Sequence, residues 1–107
     1  MKHFPPAMDT PWVLAAFTAP WSAPCRVQSE LVDQIRNSRP RLQVLDIDIT
    51  EHPELATRFM VQSIPTLILF ERGKERKRFI GLKPGQQITQ ALDNLISNNK
   101  QPQGGTP

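Results

Sequence analysis

The chain has 107 residues, 38% of them hydrophobic, which suits one compact domain with a modest core and leaves little room for a second. A net charge of +3 is mildly basic, well short of a dedicated nucleic-acid binder. One cysteine cannot form an internal bridge, which excludes a disulfide-stapled secreted domain.

Met1 to Pro11 carries three prolines and no helical period. The apolar run Trp12 to Trp21 (WVLAAFTAPW) raises the question of a signal peptide. The basic region ahead of it is thin, with Lys2 and His3 followed by Pro5, Pro6 and Asp9, and the run is too short to span a membrane. It reads as a buried strand, in a cytoplasmic protein. Within it, Val13 to Ala19 is a β-branched and small apolar run, consistent with a strand buried on both faces.

Pro20 to Pro24 breaks that strand, and Pro24 sits where a helix can begin. Cys25, Leu31, Val32 and Ile35 fall on one helical stripe, and Asn37 to Pro40 ends the helix. Leu42 to Ile49 (LQVLDIDI) reads as a second strand. Pro53 starts a short helix expected to bury Leu55, Phe59 and Met60. Thr66 to Phe70 is a third buried strand, Arg72-Gly73-Lys74 a turn, and Arg76 to Ile80 a fourth strand pairing back. Ile88, Ala91, Leu92, Leu95 and Ile96 define an amphipathic last helix. Residues 1–98 are expected to form the domain, and the polar stretch 99–107 a flexible tail. The order predicts an α/β fold: a mixed four-stranded sheet flanked by helices, the first crossover parallel and the last two strands antiparallel.

Chemistry is concentrated where the first strand turns into the first helix, at Trp21-Ser22-Ala23-Pro24-Cys25. A cysteine in place of Ser22 would face the unpaired N–H groups and dipole of the helix N-terminus, which stabilise a thiolate. A second cysteine one turn on can attack the mixed disulfide and release product. Only that second cysteine, Cys25, is present. A second element, Ser63-Ile64-Pro65-Thr66, precedes the third strand. Its Ile64–Pro65 bond is expected to be cis. Beside the turn, the backbone of Ile64 offers a short edge to an extended peptide.

FTAPWSAPC (Phe17 to Cys25), DIDI (Asp46 to Ile49), VQSIPTLILFERG (Val61 to Gly73) and Gly81 together resemble the thioredoxin family, in the right order over roughly residues 12 to 96. The resemblance implies the thioredoxin fold and, as the usual activity, dithiol reduction of protein disulfides without a cofactor. It implies that Ser22 holds the position of the attacking cysteine and Cys25 that of the resolving one. Trp21, Ala23, Pro24, Ile64, Pro65 and Gly81 would frame the substrate groove. Partners would be protein substrates or clients with disulfides or extended segments, and a thioredoxin reductase for a dithiol form; no nucleic acid or membrane is expected. Three departures stand out. Ser22 replaces the nucleophile. Ala16 stands where the family usually has a buried acid assisting the resolving cysteine. With eleven residues ahead of Trp12, the usual first strand and helix are not both expected at full length.

Plainer readings stand beside these. Cys25 is either a reactive monothiol or, as favoured, an inert buried helix cysteine. Ser22 has no His or Lys base in the motif, so a helix cap is the better reading than a nucleophile. His3 and His52 lack paired spacing and read as surface residues, with no metal site. Asp46 and Asp48 read as a strand-end polar pair. Arg72, Lys74, Arg76, Lys77 and Arg78 read as a charged edge hairpin that resists aggregation. Two functional readings stay open: a disulfide reductase whose first cysteine was engineered to serine, so that this chain is redox-inactive, or a natural non-catalytic module binding extended peptides or unfolded clients. A purely structural scaffold is the third.

Overall fold

The computed structural model describes residues 11–100, with side-chain environments over residues 11–96. The elements run β1 (Trp12–Thr18), α1 (Ala23–Ser38), β2 (Leu42–Asp48), α2 (Pro53–Arg58), β3 (Thr66–Glu71), β4 (Lys74–Ile80) and α3 (Gly85–Lys100). The four strands form one mixed sheet in the order β2-β1-β3-β4. β1 pairs parallel with β2 and antiparallel with β3, and β3 pairs antiparallel with β4.

β1 and β3 are central, so both of their faces must be covered, and their sequences are correspondingly apolar without alternation. The strand period of two sorts their side chains into two cores. Trp12, Leu14 and Ala16 join Leu67 and Leu69 beneath Val32 and Ile35 of α1 and Ile88 and Leu92 of α3. Val13, Ala15 and Phe17 join Ile68 and Phe70 on the opposite face, where Leu55 of α2 and Phe59 pack. Phe59 bridges Phe17 and Phe70, with ring centroids 6.2 Å and 5.4 Å away.

The connections follow local chemistry. After β2, the Thr50 N–H and hydroxyl both donate to Asp48 Oδ1, at 2.9 Å and 2.6 Å, and reverse the chain into α2. Asp48 is therefore a turn residue, with its carboxyl held below the ordinary range by the Thr50 hydroxyl first and the Thr50 amide second. Between β3 and β4, Arg72 and Gly73 both have positive φ, 52° and 85°, the signature of a two-residue type I′ hairpin. β4 is an edge strand. Arg76 pairs with Glu71, and Arg78 binds both carboxylate oxygens of Glu75 at 2.8 Å and 2.9 Å.

Two expectations need correction. Met60 is not buried: it is 75% exposed, at φ 55°. α2 ends before it in a Schellman turn, in which the Val61 N–H donates to Ala56 O and the Met60 N–H to Thr57 O. That turn throws residue 60 outward and leaves the packing to Phe59. The last helix also runs on to Lys100, so residues 99 and 100 are helical rather than tail. The apolar stripe stops at Ile96, but extending a formed helix through polar residues costs little. Residues 101–107, and His3, lie outside the described residues. Among the described residues, no helix is long and apolar enough to cross a membrane.

Candidate functional site

The site is built where β1 leaves the sheet. The chain turns at Ala19 to Ser22, with the Ser22 N–H donating to Ala19 O at 3.2 Å. Ser22 is the N-cap of α1, with extended backbone (φ −97°, ψ 116°). Its Oγ accepts from the Cys25 N–H at 3.3 Å, and its carbonyl accepts from the Arg26 N–H at 3.2 Å. Ala23 and Pro24 open the first turn, where the missing proline N–H leaves no bond unmade. Arg26 reaches back and donates to Pro20 O at 3.2 Å, closing the turn from outside.

Burial divides the motif. Trp21 is 68% exposed, and Ala23 and Pro24 are also exposed. Ser22 and Cys25 are buried, at 6% and 3% exposure. Ser22 and Cys25 are thus turned inward, while the Trp21 ring and the two residues between them are presented to solvent.

The second loop comes to the same place. The Ile64–Pro65 bond is cis. Pro65 and Cys25 line one small pocket, together with Ala16, Thr18, Gln28, Asp46 and others. Its free volume of about 30 Å³ has room for one or two waters. Gly81, at φ 81°, donates its N–H to Pro65 O at 2.8 Å. Ile80, in register with Thr66, and Leu82 flank that contact with exposed side chains. Cys25, Pro65 and Gly81 are therefore brought together through Pro65. Trp21, Ala23 and Pro24 stand on the turn outside the pocket lining, and Ile64 is half-buried beside Pro65.

Sequence reading took Asp46 only as part of a strand-end polar pair and did not single out Gln28. Asp46 lies directly across the parallel ladder from Ala16 and lines the same pocket, with its carboxylate bound by Arg36 at 2.6 Å. Gln28 is 3% exposed and makes a reciprocal pair with the Lys83 backbone: Nε2 donates to Lys83 O at 3.4 Å, and the Lys83 N–H donates to Oε1 at 3.3 Å. Its signal was present, because a polar residue three positions after Cys25 sits on the buried stripe of α1. His52 lies 3.5 Å from Glu54, and among the described residues no three His, Cys, Asp or Glu side chains are grouped to hold a metal ion.

The sequence profile of the thioredoxin family matches residues 4–94. The chain belongs to the thioredoxin family. Among relatives, the chain is 36% identical to a thioredoxin-like protein of Synechocystis over 78% of its own length and 81% of the relative's. It is 37% identical to the thioredoxin of Chlamydia trachomatis, over 85% and 89%. Among solved structures, a point-mutant thioredoxin of Halobacterium salinarum superposes with a TM-score of 0.75 at 29% identity, covering 80% of this chain and 75% of that one. Thioredoxin-2 of a malaria parasite gives 0.77 at 24% identity, over 82% and 86%, a likeness that bears on the fold alone. The strand-to-helix turn of this thioredoxin-family chain holds Ser22 at the N-cap of α1 and carries the single cysteine of the sequence, Cys25.

Proposed function

We propose that this chain is a thioredoxin-type protein whose dithiol cycle is interrupted at Ser22 and whose groove still receives extended segments of protein substrates. The observation that carries this reading is the seat of Ser22. Its Oγ occupies the N-cap and accepts the Cys25 N–H, where a thiolate would be stabilised by the same donors.

The cycle needs two sulfurs. The first attacks a substrate disulfide, forming a mixed disulfide and expelling one substrate thiolate. The second attacks the enzyme-side sulfur of that bond, expels the other substrate thiolate and leaves an internal disulfide. A serine hydroxyl cannot take the first role, because its oxygen cannot form the mixed disulfide, and no His or Lys lies within the turn to activate it for other chemistry. Cys25 cannot easily take it alone, because it is buried. Recognition asks less of the site. An exposed Trp21, the Ile64–Pro65 backbone and the Ile80–Leu82 segment offer an apolar, backbone-lined surface suited to an extended chain. A thioredoxin reductase enters only as the electron source for a dithiol form. A lone buried thiol is in keeping with a reducing, cytoplasmic setting.

The test is reduction of a disulfide-bonded protein by dithiothreitol with this chain present. The expected rate is that of dithiothreitol alone. Turnover above that background overturns the interrupted cycle.

A further inference from the structure

Gln28 is buried on the same side of α1 as Cys25, Val32 and Ile35, yet both its amide nitrogen and its amide oxygen have a hydrogen-bond partner. It meets one residue, Lys83, and satisfies both of that residue's backbone groups, as a neighbouring strand does. Lys83 lies in the connection between β4 and α3, two residues after Gly81. The Gly81 N–H is itself held by Pro65 O at 2.8 Å. The segment from Gly81 to Lys83 is therefore pinned at both ends, to the Pro65 loop on one side and to the redox-turn helix on the other. Leu82, exposed, is carried between the two pins.

We infer that Gln28 is a positioning residue that fixes the Gly81–Lys83 wall of the peptide groove against the Ser22–Cys25 turn. This rests on the groove reading above. Only a side-chain amide of this length can do it. Glutamate offers no donor to Lys83 O, leucine offers neither donor nor acceptor, and asparagine is one methylene short. Without the clamp, two partly buried backbone groups of Lys83 lose their partners, and the wall must move outward to find water. An extended segment then binds only the fraction of molecules whose wall is in place, so its apparent affinity falls by that fraction.

The experiment compares the unsubstituted chain with Gln28→Leu, Gln28→Glu and Lys83→Ala. Two quantities are read: amide hydrogen exchange over residues 80–83, without peptide, and the affinity for reduced, alkylated insulin B chain by calorimetry. In Gln28→Leu and Gln28→Glu the Lys83 amide is expected to exchange faster, and peptide affinity to fall about five- to tenfold. Thermal unfolding of Gln28→Leu should stay close to that of the parent, because leucine fills the same buried space. Lys83→Ala keeps the backbone groups and should leave the protection of residue 83 in place, which separates the clamp from lysine's charge. Unchanged exchange at Lys83 in Gln28→Leu overturns the inference. So does faster exchange with unchanged peptide affinity, which would make the clamp purely structural. A parent chain that binds no peptide overturns the groove reading itself, and the inference falls with it.

Discussion

Ser22 and Cys25 are held three residues apart by one backbone-to-side-chain bond, and that bond defines what each can do. As the N-cap, Ser22 satisfies an N–H that the helix cannot; removing such a cap costs about 0.5–2 kcal/mol. Ser22→Ala is therefore expected to destabilise the chain by roughly 1 kcal/mol in urea unfolding, with no change in reductase background. Ser22→Cys should do the reverse chemically. An introduced thiol faces the donors that now bind Oγ, an interaction worth about 0.3–1 kcal/mol exposed and up to about 2 when partly buried. At about 1.4 kcal/mol per unit, its pKa should fall by roughly one unit from that of an ordinary cysteine. The variant should close a disulfide with Cys25 on oxidation and acquire reductase activity. An introduced thiol that titrates normally, or forms no internal disulfide, would show that this turn is no longer a redox site. Ala16 supplies no acid beside Cys25, and the Asp46 carboxylate lining the same pocket is engaged by Arg36, so such activity is expected to be weak. At this scale the sequence was legible wherever a motif named its residues: the cap, the turn and the loop at Ile64–Pro65. Gln28 and Asp46 were not, because their roles depend on which distant backbone or strand comes to face them.

Helices and strands were placed closely by period and by turn residues, and the misses lie at their ends. Met60 was read as core from its apolarity, but the end of α2 needs a left-handed residue there, and nothing in the short stretch PELATRFM marks which residue takes it. A non-glycine residue in that region costs about 1–2 kcal/mol, and glycine's extra unfolded-state freedom offsets about 0.5–1 of it. With its side chain exposed, Met60→Gly should be stabilising, by up to about 1 kcal/mol in urea unfolding. Loss of stability would mean the methionine packs more than its exposure indicates. The turn before α2 gives a pH test. Thr50 holds the Asp48 carboxyl below its ordinary value, so its folded-state pKa lies below its unfolded one. The stability this contributes is present above about pH 4 and is lost as pH falls through the lower folded value. Asp48→Ala should thus be less stable than the parent at neutral pH, and the gap in urea midpoint should narrow at about pH 3. A gap that stays constant across that range would assign the effect to the side chain's shape rather than its charge.

Seen whole, the molecule is a sheet with two cores, and the uninterrupted apolarity of β1 and β3 announced that both faces would be covered. What the pattern could not supply is the lateral order of the strands, since any two apolar strands can be neighbours. The crossover makes β1 and β2 neighbours and the hairpin makes β3 and β4 neighbours, and the antiparallel pairing of β1 with β3 joins the two halves into the order β2-β1-β3-β4. Sharing one sheet couples the cores. Leu14 and Phe17 are both fully buried on β1, yet they face opposite layers. Truncating a buried leucine to alanine costs about 2–5 kcal/mol and a phenylalanine about 3–5. The two side chains share no partner across the sheet, so Leu14→Ala and Phe17→Ala should be additive to within about 0.5 kcal/mol. Domains of this kind are stable by about 5–15 kcal/mol, so the double variant should approach global unfolding at room temperature. Each single variant should nevertheless melt in one transition, with circular dichroism and tryptophan fluorescence coincident, because losing either layer exposes the strands that the other layer needs. Separate transitions by the two probes would mean that the α2 face opens independently of the face bearing α1 and α3. The Trp21–Cys25 turn that opens α1 would then keep its geometry while Phe59 and its neighbours came apart.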